Sequence, residues 1–269
     1  MLRYAVNVTI LFQEYPFYER FERAVACGFA AVEFMSPFAH DVERVVSAVR
    51  DAGLKVVQFN FLDGDLAAGE RGFASHPGKV ESWRGELLRA LDLAERLGAR
   101  QINSLVGTTL EGVTREAQIE CLVANLRWAV PHLERAGRPL MVEALNPFDN
   151  PGVLLCRSRD VLDVLDEVDS SWVRFQYDVY HMQRVEGDLV RTIREHIGRI
   201  GHVQIADNPG RHEPGSGEIN YRFLLQALEA TGYGGYVSLE YIPSGRTEDS
   251  FAWLPFEQRV QSTVAGLDL

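Results

Sequence analysis

Four polar residues stand at the ends of apolar runs in the second half of the sequence. Glu143 closes Leu140-Met141-Val142, Asp178 closes Phe175-Gln176-Tyr177, Gln204 follows His202-Val203, and Glu240 closes Val237-Ser238-Leu239. If these runs are successive strands, three carboxylates and one amide converge on one mouth. Carboxylates gathered in that way repel one another unless something neutralises them. A divalent cation does so, and an oxygen-rich set suits Mg2+ or Mn2+ better than a structural zinc. The competing reading pairs each carboxylate with an Arg or Lys; it serves for one strand end more readily than for four in succession. His181, three residues after Asp178, falls near the same mouth as a candidate for catalysis or substrate binding. Arg211, in the loop after the seventh run, and Arg71, in Gly69-Glu70-Arg71-Gly72 after the third, are candidates for holding an anionic substrate. Each also reads as a loop surface charge. Asp149, shortly after Glu143 and Asn146, joins the substrate-binding candidates. Asn7, Glu33, Asn60 and Asn103 lie in or at the ends of early runs, where lining a pocket and hydrogen bonding inside a core are equally open.

Residues placed in this way need a frame that aims strand ends at one point. Strand candidates fall at 4–10, 31–35, 55–61, 101–106, 140–145, 173–178, 202–206 and 236–241. Several read as continuous apolar runs with little alternation, as strands buried on both faces do. Helical stripes lie between them. Val42, Val45, Val46 and Val49 follow Asp41 as N-cap and stop at Gly53, while Trp83, Leu87, Leu91 and Ala94 run to Gly98. Ile119, Leu122, Val123, Leu126 and Val130 run to Gly137, with Pro131 as a site of kinking. Val161, Leu162, Leu165 and Val168 form a fourth stripe, and Leu224, Leu225 and Leu228 a fifth that ends at Gly232. Eight strands alternating with helices, and no Ser/Gly-rich linker, predict a single (β/α)8 TIM barrel over residues 1–269. A doubly wound dinucleotide fold would need a glycine fingerprint in its first βα turn, and Leu11-Phe12-Gln13-Glu14 holds no glycine.

Composition agrees with this class. The 269 residues are 46% hydrophobic and 24% charged, with 27 Lys+Arg against 38 Asp+Glu and a net charge of −11. That excess disfavours nucleic acid and anionic membranes as partners but not a small anionic substrate. Cys27, Cys121 and Cys156 form no CxxC pair and suit a reducing compartment. Met1-Leu2-Arg3 leads straight into an apolar run without a signal-peptide layout, and no apolar stretch approaches the ~20 residues of a membrane span. A cytoplasmic protein is expected, and homo-oligomerisation is plausible for such barrels.

Longer motifs sharpen this picture. Residues 11–21, 67–72 and 102–107, the stretch Glu143-Ala144-Leu145-Asn146, and above all Gln176-Tyr177-Asp178-Val179-Tyr180-His181-Met182-Gln183-Arg184 and Gln204-Ile205-Ala206-Asp207-Asn208-Pro209 through 215–221 occur in order along nearly the whole chain. In these the sequence resembles the hydroxypyruvate isomerase family of xylose-isomerase-like TIM barrels. The resemblance implies that Glu143 and Glu240 are paired proton donor and acceptor. It also implies that Glu143, Asp178, Gln204 and Glu240 surround a divalent metal, and that the substrate is a small anionic keto acid. In related ketose 3-epimerases the seventh-strand ligand is usually His; Gln204 stands there in this chain, which leaves metal dependence open. Where the family has Glu-Pro after the fifth strand, the chain reads Glu143-Ala144. The implied reaction converts hydroxypyruvate to tartronate semialdehyde through an enediolate, which needs a positioned base and stabilisation of the developing charge. His181 is suited to a substrate oxygen and Arg211 to the substrate carboxylate.

Three rival readings accompany this one. An isomerase or 3-epimerase of a larger keto acid or ketose, such as a 2-oxotetronate, would use the same constellation. Metal-dependent DNA cleavage on this barrel type would need several His ligands on early strands, where Asn60 and Asn103 stand, and a different net charge. A non-catalytic sugar-binding barrel would not need both Glu143 and Glu240.

Overall fold

A computed structural model describes residues 1–61, 64–65 and 68–269. Eight parallel strands, β1 (Leu2–Asn7), β2 (Ala31–Met35), β3 (Lys55–Asn60), β4 (Gln101–Asn103), β5 (Leu140–Glu143), β6 (Val173–Asp178), β7 (Ile200–Ile205) and β8 (Tyr236–Leu239), pair in sequence order. β8 pairs with β1 and β1 with β2, which closes the barrel as predicted. A two-residue β9 (Gln261–Ser262) adds antiparallel to β1; so short a segment carries no periodic signal.

The helices are α1 (Arg20–Ala26), α2 (Val42–Asp51), α3 (Val80–Leu97), α4 (Arg115–Ala136), α5 (Ser158–Val168), α6 (Val179–Val185), α7 (Leu189–His196) and α8 (Tyr221–Ala230). Asp41 caps α2 by accepting from the Glu43 and Arg44 amides, and Gly98 and Gly137 end α3 and α4 in the left-handed conformation that glycine adopts at least cost. Pro131 lies inside α4, which continues past it to Ala136. The helices α1, α6 and α7 gave no stripe in the sequence because each spans eight residues or fewer.

The strands alternate more strictly than their composition suggests. Val6, Phe59, Ile102, Val142, Phe175, Tyr177, Val203 and Leu239 join the apolar core under the helices. Between them, Asn7, Glu33, Gln58, Asn103, Gln176, His202 and Gln204 are buried, and they bond to one another between strands that are not neighbours. Gln58 on β3 donates to Gln176 on β6 at 2.6 Å, and Gln204 on β7 donates to Glu33 on β2 at 2.7 Å. The lumen of this barrel is therefore a hydrogen-bonded polar plug, where barrel interiors are more often filled by branched apolar side chains. Burying so many amides is tolerable only because each finds partners. Among the described residues no helix is long and apolar enough to cross a membrane.

Candidate active site

The polar plug ends upward in the residues that the strand ends contribute. Its amides point one way: Gln101 donates to Gln58, Gln58 to Gln176, and Gln176 to the Gln204 carbonyl at 2.6 Å and the Glu143 carboxylate at 2.8 Å. Gln204 Nε2 then donates to Glu33 at 2.7 Å and to Glu240 Oε1 at 3.0 Å, and Asn7 Nδ2 donates to the same two carboxylates. The direction follows from chemistry, since an ionised carboxylate only accepts and so each amide beside one must present its NH2. Glu33 also meets His202 Nε2 at 2.6 Å. Burial alone would raise the Glu33 carboxyl, but the His202 charge and bonds from His202 and Gln204 hold it below the usual carboxylate value.

Above the plug lies a cavity of about 330 Å3 lined by Glu143, Glu240, His181, Arg211, Arg71, Asn60, Asn150 and the side chains of Ile10, Met35, Leu105 and Leu145 among others. It opens at the C-terminal ends of the strands, the end where barrels of this kind place chemistry. Two hollows at the other end of the barrel, of about 430 and 320 Å3, contain none of these carboxylates. Burial first, then the Asp178 charge, holds Glu143 well above the ordinary carboxylate range, against the pull of Arg211 and the bond from Gln176. Glu240 is raised as well: burial outweighs its contact with Arg211, and Asp178, Glu33 and Glu143 add to the rise. Two buried carboxylates that share a cavity and resist joint ionisation are suited to hold a proton between them.

Asp178 is built by the start of α6. Its Oδ1 accepts from the Tyr180 and His181 amides at 2.8 and 3.2 Å, which caps the helix. Its Oδ2 has no hydrogen-bond partner and lies 3.5 Å from Arg211 Nη2 and 3.7 Å from His181 Nε2. Arg211 reaches the mouth from a loop pinned by the Asp207–His212 bridge, with a left-handed φ of 58°, and its Nη2 meets Glu240 Oε2 at 2.5 Å. Its charge is thus shared between two protein carboxylates, so a substrate carboxylate would have to compete for it.

His181 is fixed by residues behind it. Asn146 Oδ1 accepts from the Phe148 and Asp149 amides at 3.1 and 2.9 Å, so its Nδ2 faces the His181 Nδ1 at 2.7 Å. Nδ1 must then be the acceptor, and the ring proton sits on Nε2, facing Asp178. Burial pushes the His181 pKa down to about 4, leaving it neutral at pH 7 despite the opposing pull of Asp178. Asp149, expected at the substrate, stands one layer back: it accepts from Asn146 Nδ2, Tyr180 Oη and Arg184 Nη1 and does not line the cavity. Arg71 does line it, with Nε on Asn150 Oδ1 at 2.6 Å and Nη1 on the Glu70 carbonyl. Ala67, at the start of that motif, lies outside the described residues.

The site residues read from the sequence therefore converge, apart from Asp149. Asn146, which sets the His181 tautomer, and the Glu33–His202 pair beneath Gln204 were not singled out as functional. A signal for Asn146 existed in Asn-Pro-Phe-Asp, since Asn so often accepts backbone amides two and three residues on; no local pattern joins Glu33 to His202, 169 residues apart. Glu143, Asp178 and His181 offer potential ligand atoms within 4.8 Å of one another.

Known proteins resemble this chain along its length. The family profile described as a xylose isomerase-like TIM barrel matches residues 21–256. Hydroxypyruvate isomerase of Escherichia coli (strain K12) is 43% identical over 254 residues, covering 94% of this chain and 98% of that protein. A 2-oxo-tetronate isomerase of Pectobacterium atrosepticum is 36% identical, covering 94% and 97%. A solved structure described as AP endonuclease, family 2, from Brucella melitensis superposes with a TM-score of 0.91 at 39% identity, covering 94% of this chain and 98% of that one.

Proposed function

Because the chain belongs to the xylose isomerase-like TIM barrel family and its relatives are keto-acid isomerases, we propose that it interconverts hydroxypyruvate and tartronate semialdehyde by proton transfer between Glu143 and Glu240. The observation that carries this reading is the pair itself: two buried carboxylates, both held above the ordinary range, on one cavity. One ionised glutamate takes a C3 proton of hydroxypyruvate, and the electron pair moves to C2 and its oxygen. The other, protonated glutamate delivers a proton to C2, while the O3 hydroxyl proton passes to O2 and leaves the C3 aldehyde. Atoms and charge balance, and the two glutamates exchange roles for the reverse direction. His181 donates its Nε2 proton to a substrate oxygen without becoming charged, which keeps the donor weakly acidic and suited to an enediolate. Arg211 holds the Glu240 carboxylate and offers further N–H groups to the developing oxyanion. Arg71 holds the substrate carboxylate from the far wall of the cavity.

The donor set fits a divalent cation such as Mg2+ or Mn2+. Asp178 Oδ2 is buried without a hydrogen-bond partner, and three carboxylates face a single guanidinium. Glu143, Asp178 and Glu240 would hold the ion, with His181 beside them; Gln204 would join by giving up its bond from Gln176. When bound, the ion supplies Lewis-acid stabilisation of the enediolate.

The cavity of about 330 Å3 has room for one further hydroxymethylene group, so a four-carbon 2-oxo acid is the second substrate considered. Rates with hydroxypyruvate and 2-oxotetronate measured side by side separate the two. The proton-transfer assignment is tested with Glu143→Gln and Glu240→Gln. Each is expected to lower kcat by about 10²- to 10⁴-fold with folding intact, and near-wild-type turnover by either variant overturns it.

A further inference from the structure

At the end of the barrel opposite the catalytic cavity, a groove of about 320 Å3 lies where β6, β7 and β8 begin. Its side-chain walls come from Arg100, Arg174, Ile197, Ile200, Thr231 and Tyr233, with no acidic residue among them. Five glycines complete the lining. Two of these, Gly198 and Gly234, have neither a left-handed φ nor any atom within 4 Å of the position a Cβ would take. Neither backbone strain nor packing requires glycine at those positions. Their effect is to leave peptide backbone bare along the groove.

The charges there are unbalanced, in a chain whose net charge is −11. Arg174 Nη2 donates to the Gly198 and Ile200 carbonyls at 3.0 and 2.9 Å, which fixes the plane of its guanidinium. Among the described residues neither Arg100 nor Arg174 forms an ion pair; the nearby Arg199 is neutralised by Asp166 at 2.7 Å. Burial, with repulsion from Arg100, holds the Arg174 guanidinium below its ordinary pKa, against an opposing contribution from Tyr233. Arg3, stacked over the Tyr236 ring at 4.7 Å, adds a third positive charge close to Tyr233. A half-buried Arg174 without a counter-charge, with the exposed Arg100 adding like charge beside it, has a free-energy cost that a bound anion would recover.

We propose that this groove is a second ligand site, which takes a phosphate-class oxyanion between Arg100 and Arg174: inorganic phosphate or the phosphate group of a small phosphorylated metabolite. The Thr231 and Tyr233 hydroxyls donate to the Leu228 and Tyr236 carbonyls, so the anion would be held by the Arg100 guanidinium and by Nε and Nη1 of Arg174, whose two positive charges match a tetrahedral dianion better than a single carboxylate. The bare backbone at Gly198 and Gly234 lets that anion approach closely.

The test is calorimetric titration of the full-length protein with inorganic phosphate and, separately, with 3-phosphoglycerate, at ionic strength held constant with chloride. Saturable one-to-one binding is expected. Arg100 makes no side-chain hydrogen bond that the fold needs, so Arg100→Glu should keep the wild-type melting temperature and isomerase rate while weakening phosphate binding by at least about tenfold. Gly234→Leu fills the groove without altering charge and should also abolish binding, so the proposal stays testable if either variant fails to fold. Tighter binding of 3-phosphoglycerate than of phosphate supports the metabolite as the source, and equal binding supports the free ion. No saturable binding in the millimolar range, or binding that survives in both variants, overturns the site.

Discussion

Replacing Asn146 by Asp changes one functional group and leaves the shape alone. The Asp side chain retains an oxygen to accept from the Phe148 and Asp149 amides, so the turn that Asn146 builds is kept. What reverses is the polarity of the other branch, where an NH2 now stands 2.7 Å from His181 Nδ1 and 3.0 Å from Asp149 Oδ2. An ionised Asp oxygen there demands a proton on His181 Nδ1. The imidazole then either moves its single proton from Nε2 to Nδ1, or takes a second one, against the burial that holds its pKa to about 4. In the first case the cavity faces a lone pair where it had a donor. Loss of one donor to a developing oxyanion lowers kcat by about 10²- to 10³-fold. In the second case the imidazolium survives only by sharing the Asp charge, and its titration moves upward by more than a unit. The new carboxylate also faces Asp149, which retains Arg184 and Tyr180 as partners, so stability should fall as two like charges meet at a buried position. The assay pairs steady-state turnover of hydroxypyruvate with imidazole nitrogen NMR of His181. A kcat within about threefold of wild type, or a wild-type ring protonated on Nδ1, refutes the reasoning.

Other consequences are open to measurement. His181 refuses, when folded, a proton that the unfolded chain accepts below its ordinary pKa of 6.5. Its neutral burial therefore contributes stability that is fully present above 6.5 and is lost as pH falls toward 4, with a ceiling of about 3 kcal/mol. Glu143 and Glu240 act the other way: their raised pKa values favour folding below about 4.5, and that contribution fades as pH rises. Urea unfolding of wild type and His181→Gln between pH 4.5 and 7 should give a gap that changes with pH in the His181 direction, and parallel curves would count against neutral burial. Arg71→Gln should raise KM for hydroxypyruvate by about tenfold or more with a smaller change in kcat, since a contact to the unreacting carboxylate is held equally in ground and transition states; an unchanged KM would remove Arg71 from the substrate. Mn2+ at about 100 times its Kd should raise the unfolding free energy by about 2.7 kcal/mol, and Asp178→Asn should abolish that gain; equal gains in both proteins would place the ion elsewhere.

How far the fold and site could be read from the sequence depends on the range over which each residue finds its partner. Strand starts, helix stripes and the stops at Gly98 and Gly137 are local events, and the closed barrel follows from their alternation. Strand ends at Glu143 and Asp178 were legible because an acidic residue after an apolar run is visible within a few positions. Short helices were not. Asp178 both ends β6 and caps α6, so the residue that reads as a strand terminus is also the first turn of a helix too brief for a stripe. Arg211 was legible as a cation near the mouth but not as a partner of Glu240, because the pairing depends on a left-handed residue in a loop closed by the Asp207–His212 bridge. Asp149 misled for a related reason: its distance from Glu143 suggests the mouth, while Tyr180 and Arg184 on α6 draw its carboxylate behind His181.

The polar plug explains why Gln204 can stand where an imidazole would otherwise serve. An imidazole there could make one donor and one acceptor contact, whereas Gln204 makes three bonds, accepting from Gln176 and donating to Glu33 and Glu240. Glu33 is ionised because His202 lies 2.6 Å below it, and an ionised Glu33 can only accept, so it turns the Gln204 amide one way. That orientation presents Nε2 to Glu240 as well, and the donation steadies that carboxylate. Asn7 repeats the arrangement from β1, donating to both Glu33 and Glu240. Glu240 is thus held on one oxygen by amides that Glu33 orients, and on the other by Arg211. Glu143 has only Gln176 and Asn103 on one oxygen, at 2.8 and 3.4 Å. The two glutamates are chemically alike but unequally restrained: Glu240 accepts N–H bonds on both oxygens, whereas the bonds to Glu143 fall on one.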